Sequence, residues 1–196
     1  VERHAPAIGL CLGHARLLGN GTDRRRLHRT GHPPHRPDRS AGRDQAGRGT
    51  GRRFELKGTV HGVRVIDDYG HHPTEIHVTL EAARRYAADG RLIVIFQPHR
   101  YSRTKAFAPQ FAKELGTADR AILLEVYAAS EKPIDGVTSK MITSMMSNGE
   151  YIPNFVEVTD SVVADAQPGD VIMTLGAGDV SSLAPIIVDG LARRFA

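Results

Sequence analysis

Asp67-Asp68-Tyr69-Gly70-His71-His72-Pro73-Thr74-Glu75 is the stretch whose reading decides the fold. It gathers carboxylates, a phenol and two imidazoles where a strand gives way to a helix. Val63, Val65 and Ile66 precede it with strand character. Pro73 fits the first helical turn, where its missing N–H costs nothing. In open α/β sheets, ligands bind at the carboxyl ends of strands. A polar cluster at that place is expected to face a ligand.

A second polar cluster follows the next strand. Leu92-Ile93-Val94-Ile95-Phe96 is an unbroken apolar run, as expected of a strand buried on both faces. It ends in Gln97-Pro98-His99-Arg100-Tyr101-Ser102-Arg103-Thr104. Arg100 and Arg103 are three apart, so in a helix they share one face. Two guanidinium forks aimed at one spot suit a carboxylate or a phosphate. The plainer reading is a pair of solvated surface arginines.

The rest of the chain alternates strands and helices. Phe54 to Val60 and Val63 to Ile66 read as strands joined by a two-residue turn at His61-Gly62. Pro73 to about Ala88 reads as a helix with Ile76, Leu80, Ala83 and Tyr86 near one face. Thr104 to Leu115 reads as a second helix, with a late start or a kink expected from Pro109. Ala121–Val126 reads as a strand, and Thr138–Met146 as a helix turning Met141, Met145 and Met146 to the core. Phe155–Val158 reads as a short strand, Ser161–Ala166 as a short helix, Val171–Leu175 as the last buried strand and Ser181–Leu191 as the last helix. The expected fold is α/β: a Rossmann-like, mostly parallel sheet with flanking helices and a starting β-hairpin.

Other motifs carry less. Gly176-Ala177-Gly178 lacks the dinucleotide fingerprint and a P-loop lysine, and reads as a packing turn before a helix. His61, His71, His72 and His99 lack the cysteines or HExxH spacing of a zinc site, so no metal site is expected. No G-x-S-x-G elbow supports a serine hydrolase.

Composition divides the chain. Residues 1–53 hold 12 arginines and four acids; residues 54–196 hold 14 basic and 18 acidic side chains. The net charge of +4 therefore belongs to the head, and the motif-bearing part is mildly acidic. The head, residues 1–50, contains no lysine and repeats Arg, His, Gly and Pro. Beyond a short apolar patch near Ala7 to Leu18 it shows no helical or strand period, and is expected to be disordered or translated from a shifted frame. A basic arm for nucleic acid is the functional alternative, weakened by the lack of interleaved aromatics. No apolar run approaches a membrane span, and no signal peptide is read at the start. Cys11 is the lone cysteine, so no intrachain disulfide can form, and a cytoplasmic location is expected.

The two polar clusters resemble hallmarks of the Mur ligase family, in particular its UDP-N-acetylmuramate–L-alanine ligases. Gly51-Arg52-Arg53-Phe54-Glu55, the run from Glu125 to Ile134 and Gly176-Ala177-Gly178-Asp179 match in the same order. The resemblance covers about residues 51–196 and implies the C-terminal domain of a three-domain ATP-dependent ligase. It implies ATP with Mg²⁺ as cofactors, and UDP-N-acetylmuramate and L-alanine as substrates. It places Arg53 and Asp68 at ATP, the first towards phosphate and the second at the ribose. It places Tyr69 and His71 along the UDP-N-acetylmuramate and alanine pocket. His99, Arg100 and Arg103 fall where L-alanine is held, with the arginines on its carboxylate. The sequence has no G-x-x-x-x-G-K-[ST] loop and no upstream sugar-binding region. The N-terminal and central domains are expected to be partners missing from this chain, and the chain alone to be inactive. A free-standing nucleotide or small-ligand module, or a nucleic-acid binder through the head, are the competing functions.

Overall fold

The computed structural model describes residues 52–196. The head at 1–50, with its expected disorder or shifted frame, lies outside the described residues.

Strand β1 (Glu55–Val60) runs antiparallel to β2 (Val63–Asp68). The turn between them sets His61 at φ 48° and Gly62 at φ 80°. Two positive φ values make the turn whose twist suits a hairpin. β2 is longer than the sequence reading: both carboxylates, Asp67 and Asp68, belong to the strand and are buried.

Helix α1 (Pro73–Ala87) follows, then β3 (Leu92–Phe96), α2 (Tyr101–Leu115) and β4 (Arg120–Leu123). A short α3 (Lys140–Thr143) and β5 (Gly149–Tyr151) lead to α4 (Phe155–Asp165), β6 (Val171–Leu175) and α5 (Leu183–Arg194). The sheet order is β1-β2-β6-β3-β4-β5, with every pair after the hairpin parallel. This is the expected mostly parallel α/β sheet with a starting hairpin.

Alternation along the buried strands splits the core in two. Leu92, Val94 and Phe96 of β3 join Ile76, Leu80, Phe111 and Leu115 of α1 and α2. Ile93 and Ile95 join Val158, Val162, Leu183 and Ile187 of α4 and α5. Each face of the sheet is thereby covered, which is what keeps a parallel sheet out of water.

Several element readings change. Tyr86 is exposed, and Ala87 takes the fourth core place on α1, because the 76, 80, 83, 87 spacing follows the helical period better. Tyr86 instead lies edge-on to Phe54 and under the Arg64 guanidinium. α2 starts at Tyr101 rather than Thr104, and runs through Pro109 without interruption. The Pro109 ring is exposed, and its neighbours Ala108, Phe111 and Ala112 are held in the core. The expected strand Ala121–Val126 ends at Leu123. α3 is one turn, with Ile142 buried and Met145 exposed; only Met141 and Met146 lean on the core. Phe155–Val158 is the first turn of α4, not a strand. Asn154 caps it by accepting from the amides of Val156 and Glu157 at 2.8 and 3.2 Å. The strand pairing with β4 is Gly149–Tyr151. Among the described residues, no helix is long and apolar enough to cross a membrane.

Candidate functional site

The carboxyl ends of β2, β6, β3 and β4 bring four segments to one edge. The ladder continues past the strands: Gly176 N–H donates to Asp68 O, Gln97 N–H to Leu175 O and Leu124 N–H to Phe96 O. Residues after each strand are thus held in register. On this edge stand Tyr69 and His71 after β2, His99 to Arg103 after β3, and Tyr127 after β4.

Their rings form a row. Tyr69 meets His71 edge-on at 5.2 Å, His71 is 5.8 Å from His99, and His99 stacks on Tyr127 at 5.5 Å. The guanidinium carbons of Arg52 and Arg53 lie 5.5 and 5.7 Å from the Tyr69 ring centre. His99 Nδ1 and Arg103 Nη1 are buried and have no hydrogen-bond partner among the described residues. Ser139 Oγ and Asn148 Oδ1 are likewise without a partner, so it is the clustering of His99 and Arg103 with Arg100 at the strand ends that singles out this edge. Burial, then Arg103, His71 and Arg100, push the His99 imidazole below its usual range. At neutral pH it is uncharged, and cationic character sits on the arginines. Arg100 is exposed and Arg103 partly buried, both at the first turn of α2. Arg100 holds φ 73°, a sparsely populated backbone state for a residue with a side chain.

Asp68 and Arg53 flank the same β2 end. Asp68 Oδ1 accepts from Gly70 N–H at 2.7 Å and Thr79 Oγ1 at 3.2 Å; Oδ2 accepts from Phe54 N–H at 2.8 Å. Its carboxylate thus braces the backbone first, with acceptor capacity left on Oδ2. Arg53 is exposed and reaches Glu75 at 3.3 Å. Burial opposes ionisation of Glu75, but the His71 and His72 amides, the His71 ring and Arg53 outweigh it and hold its carboxyl below the usual range. A groove of about 400 Å³ opens here, lined by Arg53, Asp68, Thr74, Glu75, Val78 and Thr79. No group of three or more potential metal ligands occurs among the described residues.

Sequence reading missed four contributors. Arg52 grips buried Asp67 through two bonds of 2.6 and 3.2 Å, and donates to Gly176 O at 3.0 Å. Gln97, also buried, donates to Asp179 at 2.6 Å and accepts from Val180 N–H at 3.1 Å. Tyr127 stacks on His99, and Glu131 receives Ser102. All four lie in stretches that the sequence singles out, but none stands next to its partner in sequence, so their contacts were not legible there. The Gly176 turn is a packing turn. Gly176 has φ 144°, and a Cβ there would lie 2.8 Å from Gln97 O.

A six-stranded, mostly parallel sheet with a cationic, imidazole-lined site at its carboxyl edge is the architecture of a ligand-handling α/β domain. Residues 52–178 match the Mur ligase glutamate ligase domain, and the chain belongs to that family. It is 51% identical over 143 residues to a UDP-N-acetylmuramate–L-alanine ligase of Paenarthrobacter aurescens, covering 73% of this chain and 31% of that protein. It is 50% identical over 150 residues to the enzyme of the same name in Mycobacterium ulcerans, covering 74% and 31%. The chain thus spans about a third of the length of these curated relatives. A solved UDP-N-acetylmuramate-alanine ligase from Thermotoga maritima superposes with a TM-score of 0.56 at 29% identity, over 70% of this chain and 29% of that one.

Proposed function

We propose that this domain holds L-alanine and part of ATP in a ligase that joins L-alanine to UDP-N-acetylmuramate during peptidoglycan synthesis. The observation that carries the reading is the unpartnered pair, Arg103 Nη1 and His99 Nδ1, buried beside Arg100. Arginine forks match a carboxylate, and a neutral imidazole can accept a hydrogen bond from an ammonium group. An amino acid presents both within a few ångströms. Similarity to the alanine-adding relatives points to the same substrate.

In this reading the chemistry of ATP activates the lactyl carboxylate of the sugar nucleotide. This chain's part is positioning: fixing the alanine carboxylate aims its amine at the activated carbon. Tyr69 and His71 line the approach of the second substrate. The ion pair of Arg53 with Glu75 is exposed and weak, so Arg53 can turn towards phosphate. Asp68 has acceptor capacity for a ribose hydroxyl on the same rim. Mg²⁺ would be held chiefly by other domains of the ligase, with which this domain would assemble in the cytoplasm. The mildly acidic balance of residues 54–196 gives the described domain no footprint for nucleic acid.

The test is Arg103→Ala in a full-length ligase carrying this domain. A lost charge-assisted hydrogen bond is worth roughly 1.5–3 kcal/mol, so kcat/KM for L-alanine should fall by about ten- to a hundredfold, through KM. The KM for ATP should hold. Lysine should rescue only in part, because it keeps the charge and loses the planar fork. An unchanged alanine KM with a raised ATP KM would reassign these arginines to phosphate.

A further inference from the structure

We propose that Glu131 is a positioning residue for the amino-acid site: from the loop after β4 it caps helix α2 and so fixes where Arg100 and Arg103 point. The inference rests on the alanine reading above.

Helix α2 has no cap of its own. Its N-cap is Arg100, whose side chain makes no capping bond, and its first turn holds no acidic residue. The first amides of a helix need acceptors, and a negative charge there is favoured by the helix dipole. Glu131 supplies both from 29 residues away. Its Oε2 accepts from Ser102 N–H at 3.0 Å, and its Oε1 accepts from Ser102 Oγ at 2.6 Å. Ser102 lies between the two arginines.

The same loop is tied to the site by three further contacts. Arg100 N–H donates to Tyr127 O, and Tyr127 N–H donates to Pro98 O, each at 2.8 Å. The Tyr127 ring stacks on His99. Just before Glu131, Ala129 and Ser130 hold φ 48° and 72°. Such backbone states persist where surrounding contacts over-determine them. The loop is bent so that its carboxylate reaches α2.

The charge of Glu131 also reaches the site. The Ser102 hydroxyl and amide, then Arg100, hold its carboxyl below the usual range. Glu131 in turn offsets some of the fall at His99. Arg100 and His99, at the start of α2, are coupled to its charge.

The experiment uses the full 196-residue chain, with backbone NMR and an L-alanine titration. In Glu131→Ala, exchange of the Ser102 amide should speed up and alanine binding should weaken, each by roughly fivefold, the worth of a typical cap. Glu131→Gln, with one acceptor oxygen, should fall between. Ser102→Ala keeps the amide bond and should show the same trend more weakly. In the wild type the Ser102 amide shift should titrate in acid. The cap is present above the ordinary glutamate range and is lost as pH falls through the lowered folded value. Glu131→Gln should abolish that titration, which a loss of bulk packing would not do. Unchanged Ser102 exchange in Glu131→Ala overturns the proposal. So does normal alanine binding by that variant when Arg103→Ala has lost it, a result that leaves the alanine site standing. Alanine binding retained by Arg103→Ala, or absent from the wild-type chain, removes the site reading and the positioning role with it.

Discussion

Arg52 and Asp67 show how a single contact ties the entry of this domain to its site. Asp67 is fully buried at the end of β2, and its Oδ1 also accepts from Thr174 Oγ1 at 2.6 Å. Arg52 covers it, bonds Gly176 O and lies over Tyr69. The Arg52 carbonyl in turn accepts from Tyr69 N–H. Removing the guanidinium would leave a buried carboxylate short of its counter-charge. Breaking such a pair from one side typically costs about 3–5 kcal/mol. Arg52→Met should therefore lower the unfolding free energy, read from urea melts, by an amount of that order. Adding Asp67→Asn to Arg52→Met should recover part of it, because the orphaned charge is gone. A loss below about 1 kcal/mol would place this pair with weak surface bridges.

At the scale of elements, α4 shows a local signal that pointed both ways. Phe155-Val156-Glu157-Val158 is β-branched and alternates well enough to read as a strand. Asn154 decides otherwise, since its side chain satisfies two of the first free amides of the helix. Val158 and Val162, four apart, then fall on the buried face. Asn154→Ala should destabilise the domain by about 1 kcal/mol, read from thermal or urea unfolding, while aspartate should retain most of the stability. A neutral alanine substitution would mean that packing of the Val158 and Val162 face alone sets the helix start. Pro109 makes the complementary point. Proline cannot supply its helical N–H, yet α2 continues through it because the core holds the helix on both sides.

At the scale of the whole molecule, the described residues carry two core clusters of their own. Both clusters lie within residues 54–195, and the hairpin strand β1 forms one edge of the sheet. Deletion of residues 1–50 should leave a domain that unfolds in one cooperative transition, with a midpoint close to that of the full chain. Differential scanning calorimetry of the two forms checks this. Loss of the transition on truncation would make the head part of the folding unit and move the domain boundary. The truncation keeps Arg52, so the Asp67 pair is not at issue in that comparison.

Much of the fold was legible because its strongest signals are local. The apolar runs Leu92–Phe96 and Val171–Leu175 can be little other than buried strands, and Pro73 and Asp89-Gly90 bracket α1. The sequence by itself also placed the polar clusters at strand ends, because each follows directly on such a run. It could not show that β6, the last strand, inserts between β2 and β3. That insertion brings Gly176 to Arg52 and Asp179 to Gln97. Nor could it show that Glu131 caps a helix begun 30 residues earlier, or that Tyr127 stacks on His99. Local propensity acts over a few residues, whereas these contacts exist only once parallel crossovers have set strands side by side. The chain's residue types determined what chemistry stands at the carboxyl edge. Tertiary structure alone decided which groups are buried, which are paired, and that His99 Nδ1 and Arg103 Nη1 stand together at that edge without a partner among the described residues.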